Sequence, residues 1–265
     1  MAVTTLPLDP PPPPSRVGGR IVAAGATDVG RHRSRNEDQF AIVQLRKTLS
    51  VTQSSMDRLG ELATEREHGT LLVVADGMGG HNGGDVASRV AATSAIRFAH
   101  SDENVRGAAG NEETTRKMGT TLTLAYLRAP RLYLAHVGDS RAYLLRGGDI
   151  HCLTRDHTVA EEMADRLDEQ VPIDSRWHHV LTRALGGASS GDSHADVSRH
   201  TLQTGDVVLV CSDGLTNHVD EATLWSAMAR DDSCDAIVAD LVSAANDAGG
   251  TDNITVVVAR FLSEE

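Results

Sequence analysis

With 265 residues, 40% of them hydrophobic and 23% charged, the chain can form one large domain or two small ones around a sizeable core. Aromatics supply only 3%, so that core must be mainly Val, Leu, Ile and Ala. A formal net charge of -12 argues against nucleic acid or an anionic membrane as partner, since either polyanion would be repelled.

Six of the eight prolines fall in the first 14 residues, five of them consecutive from Pro10 to Pro14. Such a segment packs as neither helix nor strand, and residues 1–19 are expected to be a disordered lead-in to one folded domain over 20–265. Short β-rich runs then recur: "LLVVA" (71–75), "TLTLAYL" (121–127), "RLYLAHV" (131–137), "RAYLLR" (141–146), "VVLVC" (207–211) and "NITVVVARF" (253–261). Ala129-Pro130, "VGDSR" and Gly147-Gly148 read as turns. Strands joined so closely are expected to pair antiparallel, because a parallel crossover needs a dozen or more residues. Helical spacing of apolar residues follows Asp85 and recurs at Val159, Met163 and Leu167, at Leu224 and Met228, and at Ile237, Leu241 and Ala245. Meandering strands with separate helices make an α+β fold. Cys152, Cys211 and Cys234 form no C-x-x-C pair and read as reduced thiols of a cytoplasmic chain. No apolar run approaches the ~20 residues of a membrane span, and the N-terminus lacks the layout of a signal peptide.

The strands end on acids. "LLVVAD" ends in Asp76, "LAHVGD" in Asp139 and "VVLVCSD" in Asp213; Asp252 precedes the last strand, and Glu37 and Asp38 stand ahead of "FAIV". One such acid is ordinary turn chemistry. Five such sites in one domain are not, since clustered carboxylates repel one another unless a cation compensates. Oxygen donors with no Cys or His in matching places suit Mg²⁺ or Mn²⁺ better than Zn²⁺.

The ordered series "TDVGRHRSRNED", "VVADGMGGH", "MGTTLT", "VGDSRAYLLR", "LTRDH", "LTRALG", "VCSDGL" and "GGTDNITVVV" resembles the metal-dependent Ser/Thr protein phosphatases, the type-2C family, in their bacterial form. The likeness spans about residues 25–262. It implies a four-layer αββα sandwich: two antiparallel sheets face to face, helices outside, and a metal site at one end of the sheets. Carried over by motif, Asp76 would bridge two tightly bound ions, Mn²⁺ or Mg²⁺. Gly77 would offer its carbonyl to one, Asp213 and Asp252 would complete the other, and Glu37 and Asp38 would hold waters one layer out. Asp139 would share a weaker third ion with Asp213, and Arg33 would grip phosphate. The implied substrates are phosphorylated proteins, among them a Ser/Thr kinase and its targets, acted on by a cytoplasmic monomer. A non-catalytic module on the same fold and a hydrolase of small phosphoesters are the alternative readings.

Three departures are visible. Met78 stands where some members carry a histidine that protonates the leaving group; His81 is near it in sequence. His178 and His179 read as part of a surface flap, and Cys211, without a partnering base, as a core residue. Between the helix after Asp85 and "KMGTTLT" a second long helix is expected to be shortened, and residues 44–69, longer than a simple hairpin, are expected to cover the space it leaves.

Overall fold

The structure is a computed structural model that describes residues 19–49, 64–79, 83–100, 118–166, 174–186 and 194–263. The lead-in expected over 1–19 falls outside these residues but for Gly19, and so do His81 and the stretch between residues 100 and 118.

Two five-stranded antiparallel sheets dominate. The first runs in the order β1 (Gly19–Asp28), β13 (Ile254–Ser263), β12 (Val207–Cys211), β8 (Arg141–Arg146) and β9 (Asp149–Cys152). The second runs β11 (Asp196–Thr201), β7 (Arg131–Val137), β6 (Leu122–Arg128), β3 (Thr64–Ala75) and β2 (Gln39–Leu49). A small ribbon of β10 (Leu185–Gly186), β5 (Gly119–Thr120) and β4 (Gly77–Met78) lies beside them.

The layers follow from which side chains each face must hide. Between the sheets pack Leu72 and Val74 of β3, Ala125 and Leu127 of β6, Val208 and Val210 of β12, and Val257, Ala259 and Phe261 of β13. The opposite side of the first sheet carries Leu209, Val256 and Val258, covered by Leu224 and Met228 of α4 (Glu221–Met228) and Ile237 and Leu241 of α5 (Cys234–Asp247). Covered on both faces, β12 is buried at every residue, which is why it reads as an unbroken apolar run. On the outer side of the second sheet, Leu71 and Val73 meet Ala92 and Ile96 of α1 (Gly84–His100). The result is the expected αββα stack. Two shorter helices, α2 (Val159–Ala164) and α3 (Asp213–Thr216), complete the described set. Side chains close the helix starts as the sequence allows: Asp220 accepts from the Thr223 N–H and Ser233 from the Ala236 N–H. Leu209 is fully buried in the outer core, so Leu209→Ala is expected to cost ~2–5 kcal/mol in a denaturant titration. Turnover per folded molecule should stay unchanged, because the side chain faces away from the cleft described below.

Two turns behave differently from one another. Ala129-Pro130 joins β6 to β7 as an antiparallel hairpin, as short linkage demands. "VGDSR" does not. β7 belongs to the second sheet and β8 to the first, so residues 138–140 carry the chain across the sandwich instead of back along it. Both strands find better partners elsewhere, β7 in β6 and β11, β8 in β12 and β9. Residues 44–49 and 64–69, read as excess over a hairpin, prolong β2 and β3 as paired strands; residues 50–63 lie outside the described residues. β1, β9 and β11 were not foreseen. "DIHC" and "DVSRHT" lack a continuous apolar run and "GRIVAAGATD" has only a short, Ala-rich one, and all three are edge strands of their sheets.

Candidate active site

The acids that end separate strands meet at one end of the sandwich. An open cleft of about 470 Å³ is lined by Arg33, Glu37, Asp76, Gly77, Asp139, Asp213 and Asp252, with Asp38 buried beneath it. Elements from both sheets contribute. Asp76 leaves β3, Asp139 sits on the crossover, Asp213 opens α3 directly after β12, and Asp252 leads into β13.

Each backbone is pinned so that the side chain is left to face inward. The Asp76 N–H donates to Thr121 Oγ1 (3.0 Å), and its carbonyl accepts from Thr120 Oγ1 (2.8 Å) and from the Thr121 N–H (2.9 Å). The two threonines of "MGTTLT" therefore hold the strand end in place. Asn253 does the same for the loop bearing Arg33. Its Nδ2 donates to the carbonyls of Val29 and Arg35 (2.9 Å each), and its Oδ1 accepts from the Glu37 N–H (2.8 Å). Gly77 has no room for a side chain: a Cβ there would lie 2.2 Å from the Gly84 carbonyl oxygen. That close approach brings the start of α1 against Glu37, whose carbonyl accepts from Ser88 Oγ (2.6 Å).

The electrostatics are those of crowded carboxylates. Asp38 and Asp139 are buried, while Asp76 and Asp213 keep one edge open to the cleft and are otherwise enclosed. Burial holds Asp76 well above the usual carboxylate range, and the charges of Asp38, Asp213 and Asp139 push it further. Burial likewise raises Asp38 to about 7 against the hydroxyl bonds it accepts from Thr255 (2.6 Å) and Ser212 (2.8 Å). Asp139 rises to about 8, through burial and then the charge of Asp213. Asp213 is raised by burial and by Asp252. Arg33 donates to Asp252 Oδ2 (2.7 Å), and that bond raises the guanidinium pKa.

Two oxygens are left over. Asp38 Oδ1 and Asp213 Oδ1 are buried and accept no hydrogen bond, although buried acceptors are nearly always satisfied. Asp213 Oδ2 is held by Asn217 Nδ2 (3.0 Å), so its free oxygen is fixed in direction. Orphaned, all-oxygen, mutually repelling donors are what a hard divalent cation satisfies. Among the described residues, no three His, Cys, Asp or Glu side chains close a metal shell as they stand. With Asp252 turned to Arg33, such ions would draw on the Gly77 carbonyl and on water as well, as Mg²⁺ habitually does.

All eight sequence-derived residues thus converge, and several others were missed. Ser212, Thr255, Asn217 and Asn253 are small polar residues whose only sequence signal is nearness to the acids, and Thr120 and Thr121 belong to the motif "MGTTLT". His179 was set aside with His178 as flap surface. It is exposed, yet it lines the cleft with Leu181, because the 3-10 turn Ser175–His179 runs back toward α2 and pairs Leu181 with Thr158. Cys211 is fully buried and its thiol is pushed up by that burial, in keeping with a core role.

The model of the family described as protein phosphatase 2C matches residues 57–254. Protein phosphatase PhpP of Streptococcus pneumoniae is 31% identical over 261 residues, covering 90% of this chain and 97% of its own. Among solved structures, the serine/threonine phosphatase of S. agalactiae superposes with a TM-score of 0.72 at 27% identity, over 92% of this chain and 100% of that one. The catalytic domain of the serine threonine protein phosphatase PstP, in complex with two manganese ions, gives a TM-score of 0.66 at 28% identity, over 92% and 99%.

Proposed function

This chain belongs to the protein phosphatase 2C family and is a metal-dependent Ser/Thr protein phosphatase, and we propose that its residues 20–265 act as one catalytic domain around two divalent cations, Mn²⁺ or Mg²⁺. When bound, such a pair supplies an activated water nucleophile and neutralises charge on the phosphoryl oxygens. The observation that carries the reading is the pair of orphaned buried oxygens, on Asp38 and Asp213, within a cluster where Asp38, Asp76, Asp139 and Asp213 all have raised pKa values. In this reading Asp76, the Gly77 carbonyl, Asp213 and Asp252 would hold the two ions, Glu37 and Asp38 would orient water, and Asp139 with Asp213 would hold a weaker third ion. Met78 follows Gly77 and offers no proton.

Arg33 is the phosphate-binding group. Its guanidinium reaches the cleft and is about half exposed, which leaves donors free for a planar, two-point grip on phosphate oxygens. Arg33→Ala is expected to raise KM for a phosphoprotein and lower kcat, together about 10²–10³-fold in kcat/KM. Metal affinity without substrate should stay within about twofold, and a large loss there would make Arg33 a structural residue instead.

We place the enzyme in the cytoplasm as a monomer that reverses Ser/Thr kinase signalling. No described helix is long and apolar enough to cross a membrane. The deciding assay compares phosphate release from a phosphopeptide and from p-nitrophenyl phosphate, each with and without Mn²⁺. Manganese-dependent release from the phosphopeptide is expected. Release from p-nitrophenyl phosphate alone would indicate a small-phosphoester hydrolase, and no release from either would indicate a binding module.

A further inference from the structure

His157 does not line the cleft and is only 2% exposed, yet it holds two segments that shape the cleft. Its backbone N–H donates to the Gly138 carbonyl (2.7 Å), and the Gly138 N–H donates back to the ring Nδ1 (3.1 Å). A backbone N–H can only donate, so Nδ1 carries the lone pair and the ring proton sits on Nε2. There it faces Asp196 Oδ2 at 3.1 Å, and Asp196 in turn accepts from Arg183 (2.7 Å). The His157 carbonyl accepts from the Thr182 N–H (2.8 Å), next to the bridge between Thr158 and Leu181. The segment that carries His179 and Leu181 into the cleft is thus hung on the same residue. His136 closes a face of the ring at 4.8 Å between centroids.

What this ring grips is the amide between Val137 and Gly138, while the His157 backbone N–H holds the Gly138 carbonyl that leads into Asp139. Gly138 has φ of +115°, and a Cβ there would lie 2.5 Å from Thr121 Cγ2. The crossover has no strand partner at this point, so its amide depends on the imidazole for a hydrogen bond. We propose that His157 is a positioning residue that fixes the direction of the Asp139 carboxylate, and so sets the affinity of the weak third cation, while tying it to the cleft-lining segment 179–182. This rests on the reading of Asp139 as a ligand of that ion. It gives the "LTRDH" motif a role that the metal positions alone do not.

The test uses the full chain, with Mn²⁺ alone as the calorimetric probe and initial rates measured against Mn²⁺ concentration. His157→Asn leaves an amide oxygen where Nδ1 stood, while His157→Gln reaches toward Asp196 but leaves the Gly138 amide without an acceptor. His157→Gln is expected to weaken the low-affinity binding event about tenfold or more, as loss of a ligand-orienting bond typically does. The tight pair of ions should not move, and turnover should recover only at correspondingly higher Mn²⁺. His157→Asn should behave like the wild type. If His157→Gln binds the weak ion like the wild type, or if Asn and Gln fail alike, the inference is wrong. Should His157→Gln not fold, Asp196→Asn keeps the ring but releases its tautomer. A smaller loss in the same direction is then expected, and no loss overturns the proposal. Asp139→Ala runs alongside: if it retains the weak event, the third-ion assignment itself falls, whatever the His157 variants show.

Discussion

Asp76→Asn is expected to lower turnover about 10²–10⁴-fold, roughly 3–5 kcal/mol of barrier, while leaving the protein folded and more resistant to heat in the absence of metal. The two halves of that result have one cause. Asp76 ends a fully buried stretch of β3 among Asp38, Asp139 and Asp213, whose charges all oppose its ionisation. A negative charge there is costly without cations, and in the proposed reading it would allow two cations to be held together. Asparagine keeps the shape, and the backbone bonds to Thr120 and Thr121 do not involve the side chain. Steady-state rates and thermal melts in a chelator check both halves. A variant that keeps more than about a tenth of wild-type turnover, under ~1.4 kcal/mol of barrier, would remove Asp76 from between the ions.

Stripping the metal should make the protein lose stability as pH rises, against the usual trend near neutrality. The sign follows from the direction of the shifts. Asp38 and Asp139 titrate near 7 and 8 in the fold, far above ~3.9 in the unfolded chain. A raised folded pKa stabilises fully below the unfolded value, and that stability is lost as pH climbs through the folded one. At ~1.4 kcal/mol per pKa unit, a few kcal/mol should disappear by about pH 8. His136, held down to about 4 by burial, acts with the opposite sign, losing stability as pH falls from about 6.5 toward 4. Melts between about pH 6.5 and 8.5 therefore isolate the carboxylates. In EDTA, Tm should fall across that window. In saturating Mn²⁺ it should not, because binding to the folded state alone adds stability by mass action. Asp38→Asn should flatten the EDTA slope while keeping an acceptor for Ser212 and Thr255. A flat or rising Tm in EDTA for the wild type would show that these carboxylates are compensated without a cation.

Much of this was legible from residues alone, because the signals are local. Apolar runs such as "VVLVC" predict covered strands wherever they sit, and spacing such as Ile237, Leu241 and Ala245 predicts a buried helix face. An acid directly after an apolar run marks a strand end facing something polar. Repeated at Asp76, Asp139 and Asp213, and joined by Asp252 just ahead of a strand, that pattern calls for a cation. The order of the motifs then carried the family.

What the sequence could not contain is everything set by long-range pairing. "VGDSR" looks like a hairpin turn, yet it crosses between sheets, since strand pairing is decided by competition among all strands and not by the length of one link. β1 and β9 have too little apolar alternation to read as strands, and form because an exposed sheet edge offers hydrogen bonds to any extended neighbour. The fastening of the site lies in pairs distant along the chain: Ser212 and Thr255 on Asp38, Asn253 on the Arg33 loop, His157 on Gly138. A serine or an asparagine beside an acid carries no signal of which carbonyl it will reach. By itself, then, the sequence pointed to the family and to a set of candidate residues for metal and phosphate, because that signal belongs to side-chain type and motif. The tertiary structure alone decided how firmly and in what direction those groups are held, because that depends on hydrogen bonds between segments as much as 224 residues apart.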